Sequence, residues 1–271
     1  MNRIEIADLI VERIRTEESS LTAIYNLSKP KIGYFFIDDL LPESLTKKIY
    51  SCFPAPSKMR LKKSIREYKY IAAQMNSYNP ILEEVIYAFQ DKRVVELVSK
   101  ICGINKLIPD EHLYAGGISV MNYNHFLNPH LDNSHDKDRV KWRVLNLLFY
   151  VTPDWPLTGG GNLEIWPNGL KEKQIVIHSK FNRLVVMATH DSSWHSVSPI
   201  NYDENARCCV SNYYFSESPL KENEGFHITA FRGRPEQKIR DIILQADINL
   251  RMLIRKIFKN GVIKNSHVYK K

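Results

Sequence analysis

A histidine and an aspartate two positions apart offer two metal ligands near the middle of the chain. The stretch NPHLD (128–132) ends a β-like segment, and in an extended chain His130 and Asp132 face the same way. An imidazole nitrogen and a carboxylate oxygen on one face supply two ligands of a 2-His-1-carboxylate iron site, which keeps further positions on the metal open. The pair alone is a weak signal, so the third ligand decides its meaning.

The third ligand has more than one candidate. His195 stands in the segment WHSVSP (194–199), between two β-like runs, and His190 precedes it by five residues, so spacing alone allows either. His135 and Asp136 offer another arrangement, a compact zinc cluster with the first pair, but the usual Cys/His spacing of structural zinc sites is missing. Three histidines without a partner in the sequence are expected to be structural: His125, His178 and His227.

An arginine further along the chain suits an anionic co-substrate. Arg207 opens a strand-like run twelve residues after His195. Its planar guanidinium binds a carboxylate through two hydrogen bonds and keeps its charge, so it can anchor a dicarboxylate in a metal site that uses one. Alternation along the same run places Ser211 on the face of Arg207, where its hydroxyl can add a hydrogen bond.

These residues fall in a region of period-two hydrophobicity, from about Tyr114 to Phe215. Short runs rich in aliphatic and aromatic residues alternate with turn-forming residues, among them the glycine cluster 159–161, which we interpret as a hairpin turn. No helical pattern interrupts the runs, so the sequence predicts a sandwich or barrel. The runs are GISVMNY, RVLNLLFYV, GNLEIW, KQIVIH, RLVVMA and RCCVSNYYF.

Helical patterns flank this β region. Residues 1–20 predict an amphipathic helix, IGYFFIDD predicts a strand followed by a helix after Pro42, and residues 79–102 predict a helix that ends at Gly103. A last helix is predicted over about 235–260, with Gly261 just past its end. Its apolar stripe, expected to dock against the sheet, consists of Ile239, Ile242, Ile243, Ala246, Leu250, Leu253, Ile254 and Ile257.

The predicted fold class is therefore mainly β with flanking helices (α+β). We expect one domain over residues 1–271, with helical support over 1–113, a β core over about 114–216 and the basic C-terminal helix. Hydrophobic content of 44% and charged content of 25% are ordinary for a globular protein. No leader-like or spanning apolar stretch is present, which predicts a cytoplasmic protein.

Charge and cysteines exclude some classes of protein. The net charge of +8 resides in residues 232–271, which carry eleven Lys or Arg against three acids. Such a tail can attract phosphates, although a solvated face of the C-terminal helix is the preferred explanation, and we expect no stable nucleic-acid or membrane partner. The four cysteines form no CxxC pair, so neither a zinc ribbon nor a disulfide framework is predicted.

The motifs in the β region resemble the catalytic core of prolyl-4-hydroxylase-like Fe(II)/2-oxoglutarate-dependent dioxygenases. The resemblance runs from about Ile118 to Ser216, a little over a third of the chain. Its motifs occur in order: HLD (130–132), FYVTPDW (149–155), GGGNLEIWP (159–167), FNRLVVMA (181–188), WHSVSP (194–199) and RCCVSNYYF (207–215). The charged stretch 133–143 matches no family pattern, so the resemblance does not extend to this substrate-side loop.

The resemblance implies a double-stranded β-helix, or jelly roll, and a set of site residues. Fe(II) would be held by His130, Asp132 and His195, which favours His195 over His190. Arg207 would pair with the far carboxylate of 2-oxoglutarate, and that end of the pocket would also be lined by Tyr150 and Tyr123. Ascorbate is a further candidate cofactor.

The implied activity is hydroxylation of an unactivated C–H bond with release of succinate and CO2. The substrate would be a protein side chain such as proline, or a small or sugar-containing metabolite. The extra helices and basic tail add a further hypothesis, an anionic substrate such as a phosphorylated or glycan precursor. A non-catalytic jelly-roll module that binds an anionic polymer or surface is the alternative, because fold does not determine function. A cupin-type hydrolase or isomerase is disfavoured by Arg207, since hydrolysis needs no dicarboxylate anchor.

Overall fold

The computed structural model describes residues 1–258 and Tyr269. Thirteen strands occur in this part of the chain, and every pairing between them is antiparallel. They are β1 (Tyr34–Ile37), β2 (Arg60–Lys63), β3 (Glu67–Ala72), β4 (Ile108–Pro109), β5 (Gly117–Met121), β6 (Phe126–Leu131), β7 (Trp142–Tyr150), β8 (Leu163–Ile165), β9 (Ile175–Ile177), β10 (Arg183–Ala188), β11 (His195–Val197), β12 (Arg207–Ser216) and β13 (Ala230–Phe231).

The strands form two facing parts of one curled sheet. The strand order is β1-β10-β7-β12-β5-β3-β6-β11-β8-β9, and β3 pairs with both β5 and β6, so it joins the larger part to the smaller one. Tyr150, Val185 and Cys209 of the larger part pack in one buried cluster with Leu163 and Ile177 of the smaller part. This arrangement is a jelly roll and confirms the predicted fold class.

Alternate residues of the larger part face the helices instead. Leu147, Phe149 and Val210 belong to the main core, which also contains the apolar faces of the N-terminal helices. A strand buried on both faces explains why runs such as RVLNLLFYV are almost continuously apolar. The helices are α1 (Arg3–Thr16), α2 (Glu18–Ser28), α3 (Glu43–Ser51), α4 (Pro80–Ala88), α5 (Lys92–Cys102) and α6 (Lys238–Ile257).

The N-terminal part departs from the sequence prediction in three respects. The helix predicted over 1–20 ends at Thr16, because Glu17 leaves the helical conformation (φ −118°, ψ 10°), and α2 begins at Glu18. The single helix predicted over 79–102 is two helices, because Asp91 caps a new helix by accepting a hydrogen bond from the backbone N–H of Arg93. Gly103 ends the second one in a left-handed conformation, as predicted (φ 60°). The expected helical support over 1–113 also contains β2 and β3, whose weak alternation of apolar residues reflects their partly exposed position.

The docking face predicted for α6 is wrong. Only Leu244 of this helix is fully buried, and it packs with Phe231 of β13. Ion pairs hold the same side of the helix: Asp241 pairs with Arg232, and Asp247 pairs with Arg66. Six of the eight stripe residues are exposed: Ile239, Ile242, Ile243, Leu250, Leu253 and Ile257.

The predicted stop of the last helix at Gly261 lies outside the described residues, as does the basic tail after residue 258 apart from Tyr269. Within residues 1–258, no helix combines the length and the apolar character that crossing a membrane requires.

Candidate active site

Strand pairing brings the three predicted metal ligands together. His130 on β6 lies directly opposite His195 on β11, and Asp132 follows β6 by one residue. The Nε2 atom of His195 is 3.5 Å from Oδ2 of Asp132, and the Nε2 atom of His130 is 3.9 Å from Oδ1. One ligand atom from each residue lies within 4.8 Å of the others, a separation that a single ion can bridge.

Backbone carbonyls orient both imidazole rings. Nδ1 of His130 donates to the carbonyl oxygen of Asn128, and Nδ1 of His195 donates to that of Ser193, each at 2.9 Å. This tautomer leaves both Nε2 atoms unprotonated and directed at Asp132. Metal-bound histidines are commonly held in this way, so the residues present fit an Fe(II) ion.

Electrostatics keeps the candidate ligand atoms, the two Nε2 atoms and the Asp132 carboxylate, free of protons. Burial, reinforced by the neighbouring His195, lowers the pKa of His130 to about 3. Burial also lowers the pKa of His195. For Asp132, burial opposes ionisation, but Arg143 and the two histidines outweigh it and hold the carboxyl pKa below its usual range. A metal ion would therefore meet two neutral imidazoles and a carboxylate at neutral pH.

Two side chains that the sequence did not single out hold Asp132 in place. Nδ2 of Asn146 donates a 2.7 Å hydrogen bond to Oδ2, and Nη1 of Arg143 lies 3.2 Å from Oδ1. The Arg143 guanidinium also lies 4.4 Å from the ring centroid of Tyr213. Alternation along β7 puts Asn146 on the same face as Tyr150, and this is the one sequence signal that could have marked Asn146. Arg143 ends the charged stretch that matched no pattern, so nothing in the sequence marked it.

The predicted co-substrate anchor is buried and lacks an acidic partner. Arg207 is 3% exposed, its Nε donates to Oγ of Ser179 at 3.0 Å, and its guanidinium carbon lies 4.7 Å from the ring centroid of Tyr150. Among the described residues, no carboxylate lies within ion-pair distance of it. A buried guanidinium is stabilised by an anion, so this position suits the carboxylate of a small molecule.

The glycine cluster does more than make a turn. Gly161 has a φ of 67°, and a Cβ atom there would lie 2.9 Å from Cδ of Arg207. Its carbonyl oxygen accepts a 2.7 Å hydrogen bond from Ser179, the residue that accepts from Arg207. Gly161 lies two residues before β8, which pairs with the His195 strand β11. The segment therefore connects the candidate anchor to the candidate metal ligands.

The remaining predicted co-substrate residues lie in different surroundings. Tyr150 is buried, and its hydroxyl makes no hydrogen bond of standard geometry to any described residue. Ser211 lies on the Arg207 face of β12, half-buried, with its hydroxyl 3.8 Å from Sγ of Cys209. Tyr123 follows β5 in a turn and is 52% exposed. Contact with 2-oxoglutarate stays a prediction for all three.

The rival ligands lie apart from the cluster. His190 is buried, and its Nδ1 accepts a hydrogen bond from the backbone N–H of Ser192. The ring of His135 packs against Trp142, with centroids 4.0 Å apart. Among the described residues, the one metal-competent cluster is that of His130, Asp132 and His195.

Residues 117–215 match the family model described as the 2OG-Fe(II) oxygenase superfamily. The matched segment contains His130, Asp132, His195 and Arg207. As its name says, this superfamily uses Fe(II) and 2-oxoglutarate, so the match supports the family, the enzyme class and the two cofactors that the motifs imply. Ascorbate stays a prediction.

Individual relatives agree with this match. The chain is 30% identical over 88 residues to prolyl 3-hydroxylase OGFOD1 of Mus musculus, a stretch that spans 31% of this chain and 16% of the mouse protein. A Pseudomonas putida prolyl-4-hydroxylase structure superposes with a TM-score of 0.53 at 14% identity, covering 72% of this chain and 98% of that one.

A second solved structure shows the same fold. It is a Trichoplax adhaerens prolyl hydroxylase in complex with a peptide of the hypoxia inducible factor oxygen degradation domain. The TM-score is 0.52 at 17% identity, and the match covers 75% of this chain and 92% of that one. At these identities the structural comparisons establish the jelly-roll fold alone.

Proposed function

We propose that this protein is a dioxygenase that hydroxylates an unactivated C–H bond at the expense of 2-oxoglutarate and O2, releasing succinate and CO2. One oxygen atom enters the product alcohol and the other enters succinate. The observation that carries the proposal is the pairing of β6 with β11, which places three proton-free ligand atoms together. The same core buries Arg207, for which residues 1–258 and Tyr269 supply no acidic partner.

Each residue has a separate task in this proposal. His130, Asp132 and His195 would hold Fe(II), which supplies the oxidising chemistry when 2-oxoglutarate and O2 are bound. Arg207 would pair with the far carboxylate of 2-oxoglutarate. The Tyr150 ring packs against Arg207, and its hydroxyl, which makes no hydrogen bond of standard geometry to a described residue, would donate a further hydrogen bond. The surrounding buried side chains keep bulk water from the reacting centre.

Succinate formation tests this proposal. The purified protein, supplied with Fe(II), 2-oxoglutarate and candidate substrates, is expected to release succinate, and Asp132→Ala is expected to abolish that release. Asp138→Ala removes an exposed aspartate from the same loop region and is expected to leave it unchanged. A prolyl peptide is one substrate to include, because the relatives are prolyl hydroxylases by name. Equal succinate release by wild type and Asp132→Ala would exclude the proposed site.

A further inference from the structure

A cavity of about 650 Å³ adjoins the candidate metal ligands, and its lining carries more cations than acids. His130 and Asp132 form part of its wall. Three acids line it: Glu67, Asp132 and Asp136. Eight cations line it: Lys62, Arg66, Lys69, Lys137, Arg139, Arg143, Arg251 and Arg255. They come from three segments. The β2–β3 hairpin and α6 lie outside the region of the matched motifs, and the stretch 133–143 matches no family pattern.

Among the described residues, several of these cations share a carboxylate. Arg66 and Arg251 both pair with Asp247, so two guanidinium groups share one carboxylate. Lys62 and Lys69 likewise share Glu67, at 3.8 Å and 3.1 Å. An excess of positive charge in a partly closed cavity raises the local concentration of anions.

Arg139 is the clearest candidate for a direct contact with an anion. Its guanidinium carbon lies 3.8 Å from the ring centroid of Phe226, and its Nη2 is buried without a hydrogen-bond partner among the described residues. Nη2 of Arg251 is buried without a partner in the same way. Burial, and then the charge of the nearby Arg255, lowers the pKa of Arg139. An anion between these side chains would satisfy donors and relieve repulsion between like charges.

We propose that the substrate is a small molecule that carries a phosphate group, and that Arg139, Arg251 and Arg255 bind this group. The inference rests on the proposed function, because it assigns the substrate of the same site. Arginine forks match phosphate oxygens. The cavity volume lies within the usual range for small-molecule sites, so a compact phosphomonoester fits better than an extended polymer.

Binding of glycerol 3-phosphate, with glycerol as the uncharged counterpart, tests this assignment. The protein is loaded with Mn(II) and 2-oxoglutarate, and affinity is measured by calorimetry. We expect glycerol 3-phosphate to bind and glycerol not to bind. Arg139→Gln and Arg255→Gln should each weaken the binding of glycerol 3-phosphate at least ten-fold. Lys256→Gln removes an equal charge from the exposed side of the last turn of α6 and is expected to have no effect.

Melting temperatures of the variants distinguish lost binding from lost folding. Arg139 and Arg255 lie on separate segments, so weakened binding in both, with unchanged melting temperatures, supports a shared phosphate site. Equal affinity in wild type and both variants would overturn the inference, and so would absence of binding. An oligonucleotide that binds more tightly than glycerol 3-phosphate, and that loses as much affinity in Lys256→Gln as in Arg139→Gln, would overturn the inference in favour of a polymer-binding surface.

Succinate release separates this inference from the proposed function. We expect the substrate to stimulate 2-oxoglutarate consumption, so pairs of phosphorylated and dephosphorylated metabolites are compared for this stimulation. Stimulation by the phosphorylated members alone supports the phosphate site. Succinate release stimulated equally by both members would overturn the phosphate site and leave the oxygenase activity intact. No Fe(II)-dependent succinate, despite phosphate binding, would contradict the proposed function instead.

Discussion

Asn146 donates a 2.7 Å hydrogen bond through Nδ2 to Oδ2 of Asp132, the candidate carboxylate ligand. The contact joins the middle of β7 to the residue after β6. It restricts the carboxylate to an orientation in which both imidazole Nε2 atoms approach it within 4 Å. Asn146 is therefore a positioning residue for the proposed metal site.

Replacing this positioning residue should weaken metal binding. We expect Asn146→Ala to lower Fe(II) or Mn(II) affinity by roughly ten- to a hundred-fold, as is common when a partner of a metal ligand is removed. Asn212→Ala is the matched control, because Asn212 is equally buried in β12 but faces the opposite side of the sheet, towards Gln90. Calorimetric titration of both variants with Mn(II) measures the effect. Equal affinities would show that the hydrogen bond does not position the ligand.

The buried guanidinium predicts a selective loss of co-substrate affinity. Arg207→Met should raise the Kd of 2-oxoglutarate by roughly a hundred-fold while the Kd of Mn(II) changes little, because loss of a charge-assisted contact is worth about 3 kcal/mol. Arg183→Met serves as control, since Arg183 is already paired with Asp38. A fall in metal affinity as large as the fall in 2-oxoglutarate affinity would contradict this separation of roles.

Gly161→Ala should affect both stability and co-substrate binding. A side chain in this left-handed conformation costs about 1–2 kcal/mol, and its Cβ would also press against Cδ of Arg207. Gly169→Ala isolates the backbone effect, because Gly169 has a φ of 84° and no atom within 4 Å of the added Cβ. Urea unfolding and 2-oxoglutarate titration should show a loss of stability in both variants and a weaker affinity in Gly161→Ala alone. Unchanged affinity in Gly161→Ala would refute the contact.

Stability should decline on acidification because of a buried neutral histidine. Burial and Lys221 lower the pKa of His190 to about 4 in the folded protein, so below about pH 6.5 the unfolded chain binds a proton that the folded chain does not. His190 therefore reduces the free energy of unfolding progressively from pH 6.5 to pH 4, by at most about 3 kcal/mol.

His190→Gln removes this titration. The variant is expected to be less stable than wild type at pH 8, because packing is lost, and the difference should narrow towards pH 4. Urea unfolding at several pH values measures both curves. Parallel curves would show that His190 is protonated equally in the folded and unfolded states.

Because local backbone geometry is regular, part of the site could be predicted from the sequence. Residues i and i+2 of an extended chain share a face, so His130 and Asp132 could be grouped from their spacing alone. The same rule correctly placed Ser211 on the face of Arg207. Turn residues between apolar runs also marked the strands of the core.

Helix boundaries and helix faces were harder to predict, for an energetic reason. The break at Asp91 depends on a cap that competes with continued helix, and the two alternatives differ by little in local free energy. For α6, hydrophobicity favoured the stripe through Ile242 and Leu253. The structure instead docks the face that contains Leu244 and Asp247, because Arg66 lies where it can pair with that aspartate.

The sequence by itself determined the ligand types, the strand-like runs and the presence of an arginine suited to a dicarboxylate. Tertiary structure decided which histidine completes the metal cluster, because His195 meets His130 only through the pairing of β11 with β6. It also decided that Arg143 and Asn146 hold Asp132, and that cations from three separate segments line one cavity. Spacing along a chain reports local geometry, whereas contacts between distant segments depend on strand register and burial, which the whole fold sets together.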